Sequence, residues 1–92
     1  MENLEQLRLK IDGIDDKLIA LYAERMELSK TVALAKIKSG LPVENARREK
    51  EVLSRVTASV PEDIRVYAER LYAEIFGTSK DYQNNIFDSE KK

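Results

Sequence analysis

The chain has 92 residues, 42% hydrophobic and 36% charged, which fits one small globular domain with little room for a second. It contains neither cysteine nor histidine, which excludes a disulfide framework, a thiol nucleophile, an imidazole base and a thiolate or imidazole metal site. Its formal net charge is -1 with acidic and basic residues interleaved, a balance that does not point to a nucleic-acid partner and leaves any anion site to be local.

The opening "MENLEQLRLKIDG" carries charges throughout, without the apolar core of a signal peptide, and no later stretch approaches membrane-spanning length. A cytoplasmic protein with no membrane partner is expected. Asn3 followed by Gln6 resembles a capping box, and a first helix is predicted from there to about Ser39, where Gly40 and Pro42 stop it. A shorter helix is predicted after Asn45, with Glu49, Val52, Leu53 and Val56 on one face, ending near Thr57 to Ser59. Pro61 then opens a third, in which Ile64, Ala68, Leu71, Ile75 and Tyr82 form an apolar stripe reaching about Ile86. Residues 1–87 are expected to form the helical domain and 88–92 a frayed tail. No strand pattern is visible, so the expected fold is all-α: long, short and long helices. Gly77, inside the third helix, marks either a close helix crossing or a tolerated weak point.

The first helix carries an apolar seam in alternating steps of three and four: Leu4, Leu7, Ile11, Ile14, Leu18, Leu21, then position 25, then Leu28, Val32 and Ala35. Such a helix is roughly 50 Å long, whereas a compact chain of this length has a radius of gyration near 12 Å. Its own chain cannot cover it, and the heptad repeat points to a second copy as the cover. An intertwined helical homodimer is expected, with an elongated three-helix coil as the alternative.

Position 25 is an arginine. A polar residue in such a seam can serve only to fix register. Lys36, however, lies eleven residues on, close to the same face and roughly 16 Å along the axis, so the two cations can lean toward one small anion. The second helix adds Arg48 and an inward-facing Glu49, and the third adds Ser79 and Gln83, four apart and side by side. Each is an ordinary surface residue when read alone. Together they offer fixed positive charge and hydrogen-bond donors but no activated nucleophile and no evident base. An enzyme built this way is confined to reactions without a covalent partner, such as an intramolecular rearrangement driven by restriction and electrostatics.

The stretch "LRLKIDGIDDKLIALYAERMELSKTVALAKIKSGLPVENARREKEVL" and the later "SKDYQ" resemble the all-helical chorismate mutase family, the AroQ class, over about residues 4 to 85. The specific elements are an early arginine followed by I-D-x-I-D, A-E-R in the seam, a lysine eleven residues further and P-V-x-x-x-x-R-E after the loop. The resemblance implies conversion of chorismate to prephenate by a Claisen rearrangement, on the route to phenylalanine and tyrosine, without cofactor or metal. It implies that Arg8 and Arg25 grip the two substrate carboxylates and that Lys36 and Gln83 donate to the ether oxygen. Arg48 and Ser79 would assist at a carboxylate, Glu49 would accept from the ring hydroxyl, and Val32 and Val52 would be apolar walls. The chain departs from the family pattern at Asn45, where aspartate is common near the substrate hydroxyl.

Arg8 lies seventeen residues from Arg25, roughly 25 Å along a straight helix. It is too far to share one small substrate within one chain, and is expected to complete the site of a partner copy. Two readings compete: an isochorismate pyruvate lyase with a similar pocket, and a helical dimerisation or regulatory module without catalysis.

Overall fold

A computed structural model describes residues 3–90. Three α-helices follow one another: α1 (Leu4–Ser39), α2 (Ala46–Ala58) and α3 (Arg65–Glu90), with a single 3-10 turn at Glu62–Ile64 before α3. Among the described residues there is no strand, and no helix is long and apolar enough to cross a membrane.

The ends of the helices follow from their capping residues. Asn3 Oδ1 accepts the Gln6 backbone N–H at 2.9 Å and Gln6 Oε1 accepts that of Asn3 at 3.2 Å, a complete capping box. At the far end Gly40 adopts φ 69°, the left-handed conformation that lets the Leu41 N–H bond back to the Lys36 carbonyl at 2.8 Å. Asn45 caps α2, its Oδ1 accepting the Arg48 N–H at 3.0 Å. Pro61 caps the 3-10 turn, so the third helix proper starts at Arg65, four residues later than the proline suggests. It also continues past Ile86: the tail expected to fray from residue 88 is helical as far as Glu90, and residues 91 and 92 lie outside the described residues.

The molecule is a rod, 58 × 26 × 14 Å with a radius of gyration of 16.7 Å, against about 12 Å for a compact chain of this size. α3 packs on both α1 and α2, whereas α1 and α2 make no close backbone approach to each other. Two different stripes of α1 divide the work. The face turned to α3 is polar or small: Tyr22 Oη stands 2.6 Å from Thr78 Oγ1, Ser29 Oγ 2.8 Å from Ser79 Oγ, and Ala33 is fully buried. The apolar seam lies beside that stripe and borders α3 only across open grooves. From Leu4 to Val32 its leucines, isoleucines and valine are 43% to 62% exposed, more apolar surface than a soluble monomer commonly leaves in one stripe.

Gly77 is not at a close crossing within the chain, since a Cβ there would meet no atom within 4 Å.

Candidate active site

Where α1 and α2 stand apart over α3, a cavity of about 310 Å³ opens. Arg25 and Lys36 line it from α1, Asn45 from the loop, Arg48 and Glu49 from α2, and Ser79 and Gln83 from α3. Every site residue expected from the sequence is therefore gathered here except Arg8, which lies exposed on the remote part of α1. Val32 and Val52 supply apolar wall, as expected.

A continuous hydrogen-bonded chain crosses the floor. Lys36 Nζ donates to the Val43 carbonyl at 2.8 Å and to Gln83 Oε1 at 3.3 Å. Gln83 Nε2 donates to Ser79 Oγ at 3.3 Å, and Ser79 Oγ is hydrogen-bonded to Ser29 Oγ at 2.8 Å, with either hydroxyl able to donate. An ammonium has three N–H groups and no lone pair. It therefore dictates that Gln83 turns its carbonyl oxygen toward Lys36 and its amide nitrogen toward Ser79. After these bonds are made, one N–H of Lys36 and one of Gln83 remain for an acceptor in the cavity.

The remaining charges are placed differently from one another. Arg25 is half-buried, and among the described residues it has neither a hydrogen bond nor an ion pair. A guanidinium withdrawn from water without a protein partner is costly unless an anion joins it. Arg48 leans on Glu51 at 3.7 Å, with both side chains more than half exposed. Such an exposed pair is worth at most about 1 kcal/mol, so it holds Arg48 only weakly. Asn45 lines the cavity, but its oxygen already caps α2. An aspartate would cap there equally well.

Two further polar residues of the cavity escape a reading of the sequence. Lys80 Nζ lies 3.3 Å and 3.4 Å from the two carboxylate oxygens of Glu49 and 3.5 Å from Glu44. Its hydrogen bond to Glu49 and the nearby Glu49 and Glu44 charges outweigh desolvation and hold the ammonium above the ordinary lysine pKa of 10.5. Glu49 thus meets the cavity with its charge already balanced. The only advance signal was that an inward glutamate needs a cation. Ser29 is the other, and its signal was spacing: Tyr22, Ser29 and Lys36 recur every seven residues beside the seam.

Fold and cavity together define a small helical protein whose cavity gathers cations and neutral hydrogen-bond donors. A profile of the family described as Chorismate mutase type II matches residues 7–84, and the chain belongs to that family. It is 43% identical over 56 residues to a chorismate mutase of Methanocaldococcus jannaschii, covering 61% of this chain and 57% of that protein. A bifunctional chorismate mutase/prephenate dehydratase of Aquifex aeolicus is 38% identical over 56 residues, 61% of this chain and 16% of the relative. The T-protein of Haemophilus influenzae is 38% identical over 86 residues, 94% of this chain and 19% of the relative. The chain thus spans a little over half of the first of these and under a fifth of the other two.

Proposed function

We propose that the chain is a chorismate mutase, a cytoplasmic enzyme of phenylalanine and tyrosine formation in which residues 1–87 form the catalytic domain. The observation that carries the reading is the Lys36–Gln83 pair on the cavity floor, with Arg25, which has no partner among the described residues, lining the same cavity. In the Claisen rearrangement a carbon–oxygen ether bond breaks while a carbon–carbon bond forms, with all electrons moving inside the substrate. No proton, nucleophile or outside electron is required. What the protein supplies is a compact substrate conformation and donors for the ether oxygen, which gains negative charge in the transition state.

The spare N–H groups of Lys36 and Gln83 serve that oxygen. Arg25 takes one carboxylate, helped by Arg48 and Ser79, and Glu49 accepts from the ring hydroxyl. Asn45 acts on the substrate through its backbone while its side chain caps α2. A second copy covers the exposed seam of α1, giving an intertwined homodimer, and its Arg8 takes the other carboxylate. By symmetry each dimer has two such sites. No cofactor or metal takes part.

The test is to incubate purified protein with chorismate, follow loss of its absorbance, and assay prephenate and free pyruvate. Prephenate without pyruvate is the expected result. Pyruvate from isochorismate would assign the lyase reaction instead, and a folded protein inert to both would leave a binding or dimerisation module.

A further inference from the structure

Among the described residues the buried polar side chains are Ser29, Ser79 and Gln83, and they form one connected group. Ser79 and Gln83 already have a place in the proposed mechanism, but Ser29 does not. Packing alone does not call for a serine there: Ala33, one turn further along the same face of α1, is fully buried as alanine. Serine is also the poorer helix former of the two. Among the described residues its side chain makes one hydrogen bond, the 2.8 Å contact to Ser79 Oγ. The hydroxyl therefore acts through Ser79.

The direction of that contact follows from counting protons. Lys36 can only donate, so Gln83 accepts at Oε1 and donates from Nε2 to Ser79. The oxygen of Ser79 has thus received one proton, and its bond with Ser29 can still run either way. If Ser79 donated to Ser29, it would have no proton left for a ligand. A carboxylate in a cavity lined by Arg25, Lys36 and Arg48 accepts and never donates.

We infer that Ser29 is a positioning residue: it donates to Ser79, fills the second lone pair of that oxygen, and so turns the Ser79 hydroxyl proton toward the ligand carboxylate. The inference deepens the mutase reading and rests on it for the identity of the ligand. With Ser29 present, Ser79 accepts from two donors and gives to one acceptor, which is its full complement. Successive donors polarise one another, so the lysine charge also strengthens the last link. Without Ser29 the hydroxyl rotates between alternatives and Gln83 loses a fixed neighbour.

The test is a cycle of Ser29→Ala, Ser79→Ala and the double variant, each confirmed as folded by its thermal transition. For Ser29→Ala, kcat/KM on chorismate should fall about fivefold, the usual scale for one neutral hydrogen bond. On the Ser79→Ala background the same change should cost nothing further, because the partner is already gone. A Ser29→Ala enzyme within twofold of wild type, or an equal loss on both backgrounds, overturns the inference. Should the wild-type chain leave chorismate unchanged, the mutase reading fails and the ligand-free protein decides the hydrogen-bond role by NMR. The side-chain amide signals of Gln83, assigned by their loss in Gln83→Ala, then shift in Ser29→Ala if Ser29 orders Ser79. Unshifted signals overturn it.

Discussion

Lys36 Nζ stands 3.3 Å from Gln83 Oε1, and this contact fixes which end of the amide is left to donate. The Gln83 amide then offers its N–H without titrating. The rate of the wild-type enzyme should therefore vary little with pH near neutrality. Gln83→Glu puts a titrating group in the same place. At neutral pH its carboxylate can only accept, so activity should fall about a hundredfold, the loss typical of one donor to developing charge. The lysine favours the ionised form, so activity should return only as pH falls toward about 4. A pH–rate profile of the two proteins checks both statements. A sharp loss in the wild type between mildly acid and neutral pH would count against the role given to Gln83.

Arg25 lines the cavity and also an apolar groove bounded by Leu18, Leu21, Leu71 and Ile75. It occupies a seam position that an apolar residue would fill by pattern. Arg25→Leu should therefore give a dimer at least as stable as wild type, because a partly buried charge is removed. Activity should drop at least about a hundredfold, the scale on which a desolvated charged contact is lost. Thermal unfolding, sedimentation and turnover on the same sample test this. A changed oligomeric state with surviving activity would make Arg25 a register device instead.

Lys80 clamps Glu49 from outside the expected set of residues. Lys80→Met should free the Glu49 carboxylate to wander and add an uncompensated negative charge to a cavity proposed to take a dicarboxylate. KM should rise several-fold with a smaller change in kcat. The ion pair also leaves a mark on stability. Because Glu49 raises the Lys80 pKa in the folded state, the contribution is complete below the unfolded value and fades as pH climbs through the higher folded one. Above about pH 10.5, wild-type stability should therefore decline more steeply than that of Lys80→Met. Parallel thermal midpoints across that range would remove the clamp from the account.

The pattern of what the sequence revealed follows from the range of each signal. The helix ends rest on interactions within four residues, such as Asn3 with Gln6 and Asn45 with Arg48, and these were legible. Pro61 was misleading by a few residues because a proline fits the 3-10 turn as well as an α-helical first turn. The cations of the cavity were legible because Arg25 breaks a seam and Lys36 shares its face. Lys80 was not, since its partners Glu44 and Glu49 sit on another helix and the loop before it. Ser29 was hidden for a different reason. A heptad reading follows apolar residues, whereas α1 meets α3 through hydroxyls and an alanine. That division also explains why the seam stands open: the contact within the chain uses the neighbouring stripe.

Arg8 gives the most direct test of the second copy. It lies exposed, outside the cavity of its own chain. Arg8→Ala and Arg25→Ala homodimers should each be nearly inactive, because every site lacks one carboxylate-binding arginine. In a heterodimer of the two, one site inherits both lesions and the other inherits neither. Equimolar mixing with free exchange makes half of the dimers hybrid, each with one of its two sites intact. Activity should therefore recover to about a quarter of wild type, a ceiling set by this statistics of symmetric pairing. Exchange is verified independently by mass spectrometry of differently labelled subunits. If hybrids form and no activity returns, Arg8 does not serve a partner's site, and the shared-site architecture falls.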